Sequence, residues 1–194
     1  MIKRLGITGT PGTGKKTIAP LVASRLGFST LDLNSLAIRR KRLNPGDTIE
    51  VETAPLRRRL KKLEFESKVL YGHLLASLLR RGELDFIVVL RCKPAVLKGR
   101  LLRRGYSPQK LRENLEAELI GVTLAECMKR FGDERLLEYD ASSGEPGLVV
   151  DQILADISGT RRRKRRWIDW TLLYDSPRKL RSLFSTESTD SALT

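Results

Sequence analysis

Residues 9–17 read Gly9-Thr10-Pro11-Gly12-Thr13-Gly14-Lys15-Lys16-Thr17, and they stand directly behind the apolar run Ile2–Thr8. An extended apolar segment, a glycine-rich turn and a lysine opening a helix form, in that order, a phosphate cradle. Glycines let the main chain curl until several N–H groups converge on one point. The helix that follows adds the positive end of its dipole, and the Lys15 ammonium can bridge two phosphate oxygens. The bare spacing G-x-x-x-x-G-K recurs by chance. A strand before it and an apolar-faced helix predicted over Lys15–Leu26 after it supply the context the chemistry requires.

From that loop outward, strand-like runs recur at Ile2–Thr8, Phe28–Leu33, Lys68–Tyr71, Phe86–Arg91 and Arg135–Tyr139. Helical patterns separate them, at Lys15–Leu26, Leu36–Arg42, Ala54–Phe65, His73–Arg80, Pro94–Arg104, Ser107–Phe131 and Glu145–Ser158. Strands alternating with helices predict an α/β chain: a parallel sheet with helices on both faces. Phe86–Leu90 is apolar throughout, as a central strand covered on both sides must be. Ligands of such sheets bind beyond the carboxyl ends of the strands, where the glycine loop already lies. Ser107-Pro108 reads as an N-cap followed by proline at the first helical position, whereas Pro20 falls inside a helix and predicts a local kink.

At 194 residues, the chain can bury one sizeable core. No apolar run approaches membrane-spanning length, and a strand starting at Ile2 leaves no room for a signal peptide. Cys92 and Cys127 have no metal-ligand spacing, so a reducing, cytoplasmic setting is expected. The net charge of +14 and pI near 10.2 exceed what a metabolic enzyme needs and attract polyanions by counterion release. Residues 161–194 contribute +5 of it, so basic character extends over the body. The body is expected to end near Gly159. Beyond it, 161–166 is a block of like charge, and 182–194 is Ser/Thr-rich and expected to be disordered. Trp167 and Trp170 lie among these charges, three apart, where one helical turn would present both on one face. Packing onto the body and binding a partner are both open to them.

Several motifs in order resemble the adenylate kinase isoenzyme six-like family, archaeal branch: small nucleotide kinases with ATPase activity that act in small ribosomal subunit maturation. The resemblance covers about residues 2–158 and the Trp167-Ile168-Asp169-Trp170 end signature. It is carried by the 9–15 loop, by Asp32-Leu33-Asn34 with Leu36-Ala37, by Tyr71-Gly72-His73-Leu74, by Val89-Leu90-Arg91, by Arg100-Leu101 with Arg103-Arg104-Gly105-Tyr106, and by Asn114–Glu118. It implies a P-loop three-layer doubly wound sandwich with a five-stranded parallel sheet. Its kinase domain would span 1–159, with a nucleoside monophosphate (NMP) segment at about 32–52, a lid at about 103–113 and a basic, partly disordered tail at 160–194.

The resemblance implies ATP and Mg²⁺ as cofactors, a nucleoside monophosphate as acceptor, and transfer from ATP to AMP with hydrolysis as a second activity. Gly12, Thr13, Gly14, Lys15, Lys16, Thr17 and Arg104 would bind ATP; Lys15, His73 and Arg104 would be catalytic; and Thr17 would face the metal. Asn34, Arg39, Glu52 and Gly72 would hold the monophosphate. His73, the single histidine, can position or deprotonate a water near neutral pH. The implied partners are a platform protein of the small ribosomal subunit and pre-ribosomal RNA, the latter met by the basic surface and tail.

Three departures from the family pattern stand out. Lys16 replaces a threonine, with the hydroxyl one place later at Thr17. Tyr71 replaces the acid before Gly-His. Ile38 replaces an arginine, although Arg39 and Arg40 follow. A catalytically degenerate ATP-binding assembly factor, or a kinase for another small acceptor, are the alternatives.

Overall fold

A computed structural model describes residues 2–37, 53–159 and 167–185. Five parallel strands, β1 (Arg4–Thr8), β2 (Ser29–Asp32), β3 (Lys68–Tyr71), β4 (Phe86–Arg91) and β5 (Leu136–Asp140), form one sheet in the order β2-β3-β1-β4-β5. The first strand lies at the centre, and its carboxyl end feeds the glycine loop. Its register pairs Ile7 with Tyr71 on one side and Thr8 with Val89 on the other. Asp32 pairs with Tyr71. The loop, Asp32 and the Tyr71-Gly72-His73 turn therefore share one edge of the sheet.

Alternation along the strands divides the core. Leu5, Ile7, Val69, Val88 and Leu90 face α1 (Lys15–Leu26) and α8 (Pro146–Ile157). Leu70, Ile87, Val89 and Leu136 face α3 (Thr53–Leu60), α4 (Leu75–Leu78) and α7 (Val122–Phe131), with α2 (Leu33–Ala37) at the margin. Three layers result. Helix α1 keeps its predicted bounds and runs through Pro20 without interruption.

The pattern predicted over Ser107–Phe131 is two helices, α6 (Pro108–Leu119) and α7, because Gly121 sits at φ 71. That left-handed conformation ends a helix at almost no cost for glycine. Ser107 does cap α6, accepting from the Lys110 amide.

Residues 167–185 depart from the expected tail. The body does not end near Gly159, since this strap packs a third core against α5 (Pro94–Leu102) and α6, in which Leu97, Leu101, Leu111 and Leu115 surround Trp170 and Leu183. Trp167 packs instead against the second core. The two tryptophans are thus split between cores rather than shown on one helical face: 167–169 is irregular and Trp170–Leu173 is a 3₁₀ turn. Helix α9 (Pro177–Phe184) follows, so Ser182–Phe184 is helical and Leu183 buried. The 161–166 run, residues 186–194 and the whole of 38–52, which is most of the expected NMP segment and includes Ile38, Arg39, Arg40 and Glu52, lie outside the described residues.

A buried ionic knot fastens the strap. Arg91 ends β4 and donates from Nε to Glu118 Oε1 at 2.8 Å and from Nη1 to Glu138 Oε1 at 2.7 Å. All three residues are 1% exposed. The Trp170 indole N–H donates to Glu118 Oε1 at 3.1 Å and the Ile168 amide to Glu138 Oε2 at 2.6 Å. One cation between two carboxylates leaves an excess negative charge, which these neutral donors and the Cys92 amide (2.9 Å to Glu118 Oε1) help to hold.

Candidate nucleotide site

The loop after β1 approaches β4 so closely that a Cβ on Gly9, at φ +146, would lie 2.3 Å from the Leu90 carbonyl oxygen. No other residue fits there without moving the backbone. This approach lets the Lys15 ammonium turn back over the loop and donate to the Gly9 carbonyl at 2.7 Å and the Thr10 carbonyl at 2.9 Å. Thr13 Oγ1 donates to the same Thr10 carbonyl at 2.9 Å. The Lys15 side chain is buried, and burial pulls its pKa from 10.5 to about 7. Glu118 opposes that shift, Arg104 adds to it, Asp32 opposes it and Lys16 adds to it. A cation so poorly solvated gains much by meeting a polyphosphate.

Beside the loop lies a cavity of about 350 Å³, lined by Gly12, Gly14, Thr17, Arg100, Arg103 and Arg104, and across from them by Ala141 and Ser143–Pro146. The three arginines at and just after the end of α5 do not share one task. Arg100 is committed to the frame: its Nη2 donates to the Ala141 carbonyl at 2.9 Å and its Nη1 to the Gly12 carbonyl at 3.5 Å, tying the far wall to the glycine loop. Arg103 and Arg104 face the cavity, and Arg104 is close enough to lower the proton affinity of Lys15.

The opposite flank carries the acceptor-side candidates. Asn34 is the second residue of α2; its amide donates to Asp32 Oδ1 at 2.9 Å, and its own Oδ1 is buried with no hydrogen-bond partner among the described residues. That oxygen would lie 2.9 Å from a Cβ on Gly72, so Asn34 and Gly72 are in contact. Arg39 and Glu52, the other two acceptor-side candidates, are outside the described residues. His73 lies in the turn between β3 and α4 rather than inside a helix. Its ring is solvent-accessible, yet the protein packed around it lowers its proton affinity, as do the Lys15 ammonium and Lys110, against the pull of Asp32. The imidazole is therefore biased toward its neutral, proton-accepting form.

Asp32, which opens the expected monophosphate segment without a role of its own there, is the carboxylate of this flank. It holds the Tyr71 phenol by a hydrogen bond; burial first, and this carboxylate second, push that phenol's pKa up. Lys16 Nζ lies 3.9 Å from Asp32 Oδ2, its side chain 80% exposed. The acid missing from position 71 thus has a neighbour one strand away, in register. Nothing local marks it, because the pairing of β2 with β3 joins residues 39 apart in the chain. The 141–146 wall was missed too, although Ser142-Ser143-Gly144 behind a strand is a turn signal at the correct end of the sheet.

Among the described residues no three His, Cys, Asp or Glu side chains cluster as a metal cage. Thr17 Oγ1 and the Asp32 carboxylate are hard oxygen donors of the kind Mg²⁺ takes alongside phosphate oxygens and its own waters, so the residues fit that ion.

A phosphate-cradling loop, a cation at its head and a cleft at the carboxyl edge of a five-stranded parallel sheet define a P-loop α/β protein. The comparisons agree. The shikimate kinase structure from Bacteroides thetaiotaomicron superposes with a TM-score of 0.53 at 21% identity over 82% of this chain and 99% of that one. A gluconokinase from Sinorhizobium meliloti gives 0.56 at 18% identity over 90% and 97%. These likenesses concern the fold. The AAA domain family profile matches residues 5–121. Curated proteins named "Putative adenylate kinase" match over nearly their whole length: that of Pyrococcus furiosus is 38% identical over 88% of this chain and 93% of its own. Those of Thermococcus onnurineus and Methanocaldococcus jannaschii are 35% and 34% identical over the same share of this chain and over 93% and 94% of theirs. The chain belongs to this archaeal adenylate kinase family.

Proposed function

We propose that the protein is a nucleoside monophosphate kinase that moves the γ-phosphoryl group of ATP onto AMP, giving two ADP, and hydrolyses ATP when no acceptor is bound. The observation that carries this reading is what gathers at the carboxyl edge of the sheet. Lys15 lies buried over the Gly9 and Thr10 carbonyls, Arg104 lines the cavity beside the loop, and Asn34 meets Gly72 at the end of the neighbouring strands.

The acceptor oxygen of AMP is already ionised, so transfer needs no base. A bond forms from that oxygen to the γ-phosphorus as the β–γ bridge breaks and its electrons pass to departing ADP. The loop amides and Lys15 hold the β- and γ-phosphates, Arg104 closes over the charge spread on the transferred group, and Asn34 with Gly72 seats the acceptor. Thr17 and Asp32 would hold Mg²⁺ alongside the ATP phosphates, and the ion would supply further charge neutralisation. Hydrolysis is a different demand, because water must lose a proton. His73, biased toward the neutral form, accepts it.

The charge of +14 supports a second layer of the reading. The nucleotide cycle serves maturation of the small ribosomal subunit in the cytoplasm, with a platform protein and pre-ribosomal RNA as partners. Tyr71 and Lys16 favour the rival reading, an assembly factor that binds ATP without turnover.

Purified protein with ATP, AMP and Mg²⁺ should form ADP at a rate at least about 10²-fold above a Lys15→Ala control. His73→Ala should lose phosphate release in the absence of AMP while keeping most of the transfer. ATP binding by calorimetry with neither activity would establish the rival.

A further inference from the structure

Helix α3 and the turn after it read Thr53-Ala54-Pro55-Leu56-Arg57-Arg58-Arg59-Leu60-Lys61-Lys62. Leu56 and Leu60, one turn apart, are 4% and 2% exposed in the second core. The helical path continues past Leu60, since the Lys61 amide donates to the Arg57 carbonyl at 3.1 Å and the Lys62 amide to that of Arg59 at 3.2 Å. At about 100° per residue, Arg58, Lys61 and Lys62 point away from the core, with Arg57 and Arg59 on the flanks. Arg58, Lys61 and Lys62 are exposed.

Elsewhere the surface pairs many of its cations: Lys3 with Glu66, Arg4 with Asp85, Arg25 with Asp151, Arg81 with Glu134. On α3, Arg57, Arg58, Lys61 and Lys62 form no ion pair with any described residue. Arg59 reaches only the Leu36 carbonyl, at 3.5 Å. Five neighbouring cations with no ion pair among the described residues repel one another, a standing cost that an anionic ligand would relieve.

We infer that the outward face of α3 binds the phosphodiester backbone of RNA. The inference rests on the RNA part of the proposed function and assigns it a surface separate from the tail. Two features favour RNA over other anionic partners. An anionic membrane would need an apolar helix face to insert, and here that face is spent on Leu56 and Leu60 in the core. An acidic protein would need a buried apolar anchor, and the outward positions Arg58, Lys61 and Lys62 are all charged, the exposed Leu63 lying beyond them in the turn. Side chains three and four positions apart, as Arg58 is from Lys61 and Lys62, lie about 5–6 Å apart at Cβ, so flexible cations can meet successive phosphates whatever the base sequence. Through Arg59 and Leu36 the face adjoins α2, the acceptor side, and leaves the ATP cavity open.

The test is fluorescence anisotropy with a labelled single-stranded RNA of mixed sequence, using the full chain from 50 to 300 mM KCl. The triple variant Arg58→Gln/Lys61→Gln/Lys62→Gln should flatten the slope of log K against log salt by about 2 and weaken binding at 0.1 M about 100-fold. A control removing three scattered exposed cations, Lys93→Gln/Lys129→Gln/Arg178→Gln, should change neither much. Unchanged ATP binding would show both variants folded. If the full chain binds RNA and the α3 variant keeps its slope, the surface is wrongly assigned while the RNA reading stands. If the full chain binds no RNA at 50 mM KCl, the RNA reading falls and this inference with it. Displacement of RNA by polyglutamate at equal charge would overturn the assignment in favour of an acidic protein partner.

Discussion

Replacing Arg91 by methionine isolates the ionic knot that closes the third core. The arginine is 1% exposed and supplies four hydrogen bonds: to Glu118 Oε1, to Glu138 Oε1, to the Glu118 carbonyl at 2.7 Å and to the Ile168 carbonyl at 3.2 Å. Methionine fills most of the volume and removes the charge. Two carboxylates, each 1% exposed, then remain with only neutral donors. Removing one partner of a buried ion pair costs about 3–5 kcal/mol. An independent estimate gives the same size. If one carboxylate escapes the penalty by taking up a proton, a group of ordinary pKa near 4.3 must be protonated at pH 7, which costs about 3.7 kcal/mol.

The second route also fixes a pH dependence. In the variant the folded state holds a proton that the unfolded state has released, so its stability falls as pH rises above the unfolded carboxylate range. The deficit against the native protein should therefore shrink by about 1.4 kcal/mol per pH unit from pH 7 to pH 5, to about 1 kcal/mol. Urea unfolding at pH 7, 6 and 5 measures it, and a fall in Tm of roughly 8–16 °C at pH 7 should accompany it. A deficit below about 1 kcal/mol at pH 7 would refute the buried-charge reasoning, and a larger one that stays constant with pH would refute proton uptake as the escape.

Other outcomes follow from the same geometry. Because burial holds the Lys15 pKa near 7 and phosphate should raise it well above that, ATP binding at pH 8 should take up about 0.9 proton and at pH 6 about 0.1. Calorimetry in buffers of different ionisation enthalpy reads this directly, and Lys15→Met should abolish the uptake. Gly9→Ala places a methyl group 2.3 Å from the Leu90 carbonyl and should weaken ATP binding at least about 10-fold by displacing the carbonyls that hold Lys15, measured by titration. Arg100→Leu frees the 141–146 wall from the glycine loop and should raise the KM for ATP several-fold with little change in kcat, since its guanidinium, although it lines the cavity, is engaged by the Gly12 and Ala141 carbonyls.

Much of the frame was legible. Strands Lys68–Tyr71 and Phe86–Arg91 and helix Lys15–Leu26 have the bounds their patterns predicted, and Ser107 caps the helix it was expected to cap. Each rests on neighbours in the chain: apolar periodicity, a capping hydroxyl, a glycine run before a lysine. Gly121 shows the limit, since one left-handed residue splits a pattern that reads as continuous.

By itself the sequence determined the phosphate loop, the alternation of strand and helix, and the surplus of positive charge, because these depend on which residues are adjacent and how often they recur. Only the tertiary structure decided that Asp32 stands beside Tyr71, that Arg100 serves the frame, and that Trp170 closes a core over Arg91, Glu118 and Glu138. Those facts join residues 27 to 88 positions apart. Buried charge and close approach are properties of distance in space, and the order of residues along a chain does not carry them.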